Sequence, residues 1–159
     1  MSTSRTTSAI LLFALAMGAA TSFAADGITR VPYPRPTGIA TSASVPAGMK
    51  LHFISGQLPT IDPKAPGDMY TQTKSVVSKL VVALKALGLT PDSAVKATAF
   101  LVGDPAKGGE MDFEGYSKAW QEVWPGTKAE LPARSTVKVS GLALAGAMLE
   151  IELIAAGPN

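Results

Sequence analysis

The sequence predicts an α+β domain in which one mixed sheet carries two helices on the same face. Three observations lead to this fold class: an amphipathic helical pattern over 71–87, a nearly continuous apolar run over 95–102, and apolar–acidic alternation within 147–155. The elements follow one another in the order β-β-α-β-α-β-β, with no internal repeat and no second domain.

The first 24 residues have the composition of an export signal. Arg5 is the only charged residue among them, the stretch 9–20 is apolar, and Ser22 and Ala24 place small residues at alternate positions. This pattern is typical of a signal peptide (1–24) that is cleaved after Ala24. An uncleaved membrane anchor is the alternative, but the apolar run is shorter than the ~20 residues that span a bilayer. We therefore expect a periplasmic or secreted protein with no membrane attachment after cleavage.

Residues 25–37 are expected to form an extended arm outside the core. Pro32, Pro34 and Pro36 stand at alternate positions, and proline fixes φ and cannot donate a hydrogen bond to a neighbouring strand. Residues 38–159 then make up the single folded domain.

The domain is expected to begin with two strands, at 39–45 and 50–55, joined by a turn at 46–49. A Pro/Gly-rich loop follows. The first helix is predicted over 71–87, with Gly88 at the position of a C-cap. Its apolar residues recur at helical spacing: Val76, Val77, Leu80, Val81, Leu84 and Leu87.

An interior strand is predicted at 95–102, because its apolar character is almost unbroken. Asp112 can cap a second helix. That helix carries the apolar stripe Phe113, Tyr116, Trp120, Val123 and Trp124. A stripe of this kind indicates a core-facing surface more often than a platform on which a ligand stacks.

Two final strands are predicted at 134–140 and 147–155. In the second, Glu150 and Glu152 alternate with apolar residues and therefore share one face. Carboxylates at such positions are either solvated on an open face of the sheet or kept in a cleft for acid–base chemistry.

Composition excludes several classes of site. The chain has no cysteine and a single histidine, His52, so thiolate chemistry and disulfides are excluded and a zinc site is not expected. His52 is interpreted as a half-buried structural residue. The net charge is only +2, without a basic block, so no nucleic-acid partner is expected, because that affinity depends on neutralising phosphates.

Arg134 is the one arginine among ten lysines between residues 36 and 159. A guanidinium can hold a carboxylate through two parallel hydrogen bonds, whereas an ammonium is a point charge. Because Arg134 opens a predicted strand, we expect it at the mouth of the sheet. An ordinary surface arginine is the alternative interpretation.

Four segments occur in an order that resembles the Rid (RidA/YjgF-type) family of reactive-intermediate deaminases. They are Ser55-Gly56-Gln57-Leu58-Pro59, Val95-Lys96-Ala97-Thr98-Ala99-Phe100, Pro132-Ala133-Arg134-Ser135 and Glu150-Ile151-Glu152. The resemblance covers about residues 38–156. It implies a chorismate-mutase-like fold, a homotrimer with clefts between subunits, and hydrolysis of small 2-imino acids or enamines to 2-keto acids and ammonia, without metal or organic cofactor.

The resemblance also implies roles for particular residues. Arg134 would hold the substrate carboxylate, and the backbone at Ser55 and Gly56 would donate a hydrogen bond to the substrate. Glu150 would position or activate the attacking water. Ser117 stands where the family usually has an asparagine that contributes to substrate binding.

Three departures from the family pattern concern the cleft and its surroundings, and Ser117 in place of the usual asparagine is the first. The stretch 38–42 lacks the tyrosine that usually lines the cleft, and the loop 103–110 is longer than usual. An alternative function is therefore a non-catalytic trimeric module that binds a small carboxylate ligand or a partner protein. Ribonuclease activity, also described in the family, is disfavoured by the near-neutral charge.

Overall fold

The computed structural model describes residues 27–35, 38–124 and 131–158. The predicted signal peptide lies outside these residues. The described part contains six strands and two helices: β1 (Thr29–Pro32), β2 (Ala40–Ser44), β3 (Lys50–Gln57), α1 (Met69–Ala86), β4 (Ala94–Val102), α2 (Phe113–Val123), β5 (Ala133–Val139) and β6 (Leu149–Gly157). Within it, no helix is long and apolar enough to cross a membrane.

All six strands form one mixed sheet in the order β1-β2-β5-β4-β6-β3. β5 runs parallel to both β2 and β4, and the other pairs are antiparallel. β4 has neighbours on both sides, so the prediction of an interior strand is confirmed. The pairing of β2 with β5 is limited to Ala40 and Ala133. β2 and β3 follow one another through the predicted turn, but they pair with different strands.

The proline-rich arm, expected to be extended and outside the core, contributes a strand, β1, to the edge of the sheet. Thr29 to Pro32 pair with β2, and the Arg30 guanidinium donates hydrogen bonds to the carbonyls of Asp92 (2.6 Å) and Ala94 (3.0 Å). A proline at the end of an edge strand removes no necessary hydrogen bond, because the outer side of that strand has no neighbour.

Both helices begin at aspartate caps. The Asp68 carboxylate accepts a hydrogen bond from the Thr71 amide at 2.8 Å, and the Asp112 carboxylate accepts one from the Gly115 amide at 3.1 Å, which confirms the predicted cap of α2. α1 ends before Gly88, whose φ of +73° places it in the left-handed region that favours glycine.

The core lies between the two helices and one face of the sheet, as predicted. Alternate residues of β4 and β6 pack against α1 and α2, among them Ala97, Leu101, Leu149, Ile151 and Leu153. We call the other side of the sheet the open face. It carries Leu51 and Phe53 of β3, which are 46% and 76% exposed. The hairpin of β1 and β2 contributes a second, smaller cluster in which Ile28 packs with Val95 and Ala156.

Candidate functional site

Arg134 lies in β5 beside α2, on the face of the sheet that the helices cover. It is paired in register with Ala97 of β4, which is fully buried in the core. Its guanidinium carbon lies 4.8 Å from the centre of the Tyr116 ring and 5.1 Å from that of Trp120. Contact with two aromatic rings fixes a planar cation by cation–π attraction and packing. The Arg134 side chain is therefore fixed by its two aromatic neighbours, which distinguishes it from an ordinary surface arginine.

Packing against the two rings shields part of the Arg134 side chain from solvent, and polar atoms at this contact lack hydrogen-bond partners. The Arg134 Nη1 and the Tyr116 hydroxyl are both buried without a hydrogen-bond partner among the described residues. Burial lowers the pKa of the Arg134 guanidinium below its usual value, and Tyr116 opposes that shift. Burial likewise raises the pKa of Tyr116, against the influence of Arg134. A partly buried guanidinium whose Nη1 has no hydrogen-bond partner is suited to holding an anionic group such as a carboxylate.

Glu150, the second residue of β6, lies against the backbone of Gly56. A Cβ placed on residue 56 would come within 2.6 Å of the Glu150 Cδ and 2.8 Å of its Cγ. The register between β3 and β6 shifts between Ile54 and Gln57, so β3 is bulged at Ser55 and Gly56. Bulges re-aim backbone groups and are frequent beside functional sites. This arrangement brings a carboxylate next to peptide groups that are released from the ladder.

Arg134 and Glu150 face opposite sides of the sheet within one chain. Arg134 shares the face of Ala97, whereas Glu150 stands between Leu149 and Ile151, which both point into the core. Side chains of adjacent strand residues alternate between faces, so Glu150 projects from the open face. One copy of the chain therefore does not bring the two predicted catalytic groups together.

The remaining predicted site residues occupy separate positions. Ser55 is exposed on β3, in the same bulge as Gly56. Ser117 follows Tyr116 on α2 and lines a shallow depression on the outer surface of that helix, together with Phe113 and Gln121. His52 is half-buried in β3, as interpreted from the sequence.

Sequence reasoning missed the aromatic contact of Arg134. The prediction that the stripe on α2 is core is confirmed for Tyr116, Trp120 and Trp124, whereas Phe113 is 46% exposed, and no partner was assigned to the stripe. A signal was available: a helix that directly precedes a parallel strand packs back on the sheet beside that strand. Arg134 at the start of β5 is therefore within reach of α2.

No group of three or more His, Cys, Asp or Glu residues is arranged to hold a metal ion within residues 27–35, 38–124 and 131–158. Glu150 and Glu152 are two positions apart on the open face, and the residue paired with Glu152 is Thr98. The predicted site residues offer a guanidinium from Arg134, a carboxylate from Glu150 and backbone hydrogen-bonding groups at Gly56.

The chain matches the sequence model of the family described as endoribonuclease L-PSP over residues 40–157. A RutC family protein from Pyrococcus horikoshii is 34% identical over 126 residues, which cover 77% of this chain and 90% of that protein. Residues 40–157 take in every strand and helix of the domain except β1.

Solved structures of other proteins have the same fold as this chain. A member of the Rid protein family from Yersinia pestis superimposes with a TM-score of 0.64 at 22% identity, covering 81% of this chain and 97% of that one. Escherichia coli TdcF with bound serine gives a TM-score of 0.55 at 24% identity, with 81% and 93% covered. The predicted chorismate-mutase-like fold is thereby confirmed. With the family match and the curated relative, these findings show that the chain belongs to the Rid/YjgF family.

Proposed function

We propose that this protein hydrolyses small 2-imino acids or their enamine tautomers to 2-keto acids and ammonia. Membership of the Rid/YjgF family supports a deaminase or a small-molecule-binding role. The observation that carries the proposal is Arg134, a partly buried guanidinium fixed on two aromatic rings with Nη1 unpaired. A 2-imino acid offers that group a carboxylate.

Glu150 is the acid–base group of the proposed reaction. Water adds to the imine carbon, the C–N bond of the resulting carbinolamine breaks, and ammonia leaves as the 2-keto acid forms. Glu150 takes a proton from the attacking water and passes it to the imine nitrogen, and it then transfers the proton of the carbinolamine hydroxyl to the same nitrogen, so that ammonia leaves. Its position against Gly56 places the carboxylate beside the peptide groups of the bulge. The Ser55 and Gly56 carbonyls accept hydrogen bonds from Gln57 Nε2, so the amide N–H groups are the ones proposed to hold the substrate or the water. An imine is already electrophilic, so orientation of the two reactants supplies most of the catalysis.

The proposed site is shared between copies of the chain in a homotrimer. Because Arg134 and Glu150 face opposite sides of one sheet, a substrate that touches both must lie between two subunits. The open face supports this assembly, since Phe53, Leu51 and Val137 are exposed apolar residues on it, and association normally covers such an area.

The proposed setting is outside the cytoplasm, since the apolar stretch 9–20 followed by Ser22 and Ala24 has the pattern of a cleaved signal. No cofactor is required, because protonation and hydration of an imine need only a carboxylate, a water and a fixed substrate.

The proposal is tested by assaying the purified protein on 2-iminopropanoate and 2-iminobutanoate generated in situ by an amino-acid oxidase. Faster disappearance of the imine, with 2-keto acid and ammonia in equal amounts, is the expected result. An imine lifetime unaffected by the protein would refute deamination.

The second candidate is a binding module that uses the same Arg134 without turnover. One similar structure, that of TdcF, was solved with bound serine, and an amino acid presents the same carboxylate as an imino acid. This candidate predicts no turnover, together with calorimetric binding of a 2-keto acid that is weakened by Arg134→Lys. Turnover in the wild type would exclude it.

A further inference from the structure

Gln72 is a buried polar side chain that ties three segments of the chain together. It lies in the first turn of α1 and is 2% exposed. Its Nε2 donates to the carbonyls of Pro66 (3.1 Å), Gly67 (3.3 Å) and Gly146 (3.1 Å), and its Oε1 accepts from the Met148 amide at 2.8 Å. Both ends of the amide are thus in use.

The four bonds fix the orientation of the Gln72 amide. Three carbonyl oxygens converge on one end and one N–H on the other, so a rotated amide would oppose oxygen to oxygen and leave the Met148 N–H unpaired. Buried groups without a partner cost free energy. The Gln72 side chain therefore has one favourable arrangement.

The segments joined by Gln72 are connected directly along the chain to Glu150 and Gly56 of the proposed site. Met148 stands two residues before Glu150, and its carbonyl accepts a hydrogen bond from the Val102 amide at 2.8 Å. Gly67 lies at the end of the loop that leads from Gly56 to α1. Gln72 thereby links the chain that precedes Glu150 to the chain that follows Gly56.

We propose that Gln72 is a positioning residue for Glu150. By fixing the point at which β6 begins, it holds the Glu150 carboxylate against Gly56, although it touches neither the carboxylate nor a substrate. The kinetic part of this inference rests on the proposed function, because it takes Glu150 as the acid–base group.

The test compares Gln72→Met with Thr73→Val in the purified protein. Methionine has a similar length and removes all four hydrogen bonds. Thr73 is the next residue, is also fully buried, and uses its hydroxyl only for the Met69 carbonyl at 2.7 Å within α1. Both variants are expected to lower the unfolding temperature. In Gln72→Met alone, kcat falls by about 10- to 100-fold while KM changes by less than about twofold, as expected when a catalytic group is misplaced.

A second readout does not depend on activity. The ¹³C chemical shift of the Glu150 side-chain carboxyl carbon, assigned by its loss in Glu150→Gln, should move in Gln72→Met and stay unchanged in Thr73→Val. If Gln72→Met does not fold, Gln72→Glu replaces it, because that variant keeps nearly the same shape and an acceptor for the Met148 amide.

The outcomes separate the two proposals. A wild type without deaminase activity in which the Glu150 signal moves as described refutes the proposed function and supports the positioning role. If the Glu150 signal, and kcat where the wild type is active, are unaffected by the Gln72 variant that folds, the inference is overturned. Equal kinetic losses in Gln72→Met and Thr73→Val also overturn it, since they would reflect lower stability alone.

Discussion

Glu150 lies across the backbone of Gly56, at the one point where β3 leaves its register with β6. The space that a side chain on residue 56 would need is filled by the Glu150 carboxyl group, 2.6 Å from the Cβ position to Cδ. The bulge frees peptide groups and the glycine lets the carboxylate reach them. The absence of a side chain at position 56 is therefore a condition for the proposed arrangement of catalytic groups.

Gly56→Ala is expected to impair activity more than stability. Gly56 does not have a positive φ, so alanine meets no backbone strain, and the group it displaces is the end of a flexible glutamate. We expect a loss of less than about 1 kcal/mol in the free energy of unfolding. Turnover should fall about tenfold or more, because the carboxylate is pushed from its position. Urea unfolding and the imine assay measure the two effects.

A double-mutant cycle provides the control for Gly56→Ala. In the Glu150→Ala background the added methyl group meets no carboxylate, so Gly56→Ala should cause almost no further loss of activity. Equal losses in both backgrounds would show that Gly56 acts independently of Glu150.

Arg134→Lys is expected to reduce kcat/KM by about 30- to 1,000-fold, which corresponds to about 2–4 kcal/mol. Lysine keeps the positive charge but loses the two parallel hydrogen bonds and the planar contact with the Tyr116 and Trp120 rings. Steady-state kinetics on 2-iminobutanoate measure the effect, and Lys85→Arg, at an exposed position of α1, serves as a control for a change of cation outside the proposed site. Unchanged kinetics in Arg134→Lys would remove Arg134 from the site.

Most of the fold could be predicted because local patterns specify it. The two helices carry their own caps and apolar stripes, and the alternation of Glu150 and Glu152 with core residues fixes the face of β6. The pairing of β1 was missed because it depends on Arg30 reaching the carbonyls of Asp92 and Ala94, which are more than 60 residues away.

The candidate site was predictable in its residues but not in its geometry. Residue types indicated Arg134 and Glu150 as charged groups at unusual positions. Their placement on opposite faces follows from strand register, and the contact of Glu150 with Gly56 follows from a bulge. Register and bulges are set by pairing between distant segments, so a local pattern does not contain them.

Tyr116→Phe is expected to change how stability depends on pH. Burial raises the pKa of Tyr116 above the usual value of 10.0, so the folded protein holds the phenolic proton more tightly than the unfolded chain. The stabilisation that this pKa difference provides is fully present below pH ~10, and it is lost as the pH rises through the higher pKa of the folded state. The stability of the wild type relative to Tyr116→Phe should therefore stay constant below pH ~10 and fall as the pH rises above that value.

Urea unfolding at several pH values measures this difference. Tyr33→Phe is the control, since Tyr33 is 39% exposed, and it should leave the profile unchanged. Below pH ~9, Tyr116→Phe should be as stable as the wild type or slightly more so, because it removes a buried hydroxyl without a partner. A parallel pH profile for the wild type and Tyr116→Phe would contradict the burial argument.

Export predicts that the protein in the extracytoplasmic fraction begins at Ala25. In the proposed signal peptide, the small residues Ser22 and Ala24 predict cleavage after Ala24. Intact-mass spectrometry of the fractionated native host measures the N-terminus, and Ala24→Tyr, which places a bulky residue at the cleavage site, should block processing. Full-length protein retained in the cytoplasm would disprove export.

Phe53→Ser is expected to dissociate the proposed trimer. Phe53 is 76% exposed on the open face of β3, and burying a phenylalanine contributes about 2–3 kcal/mol per side chain, a loss that a trimer incurs in each subunit. Light scattering should give three times the monomer mass for the wild type and the monomer mass for Phe53→Ser at micromolar concentration. Val82→Ser is the matched control, because Val82 is 65% exposed but lies on α1, away from the open face.

Since the proposed site needs Arg134 and Glu150 from different copies, Phe53→Ser should also lose deaminase activity in step with dissociation. A monomeric wild type that retains full activity would show that one chain is sufficient and that the shared site is wrong.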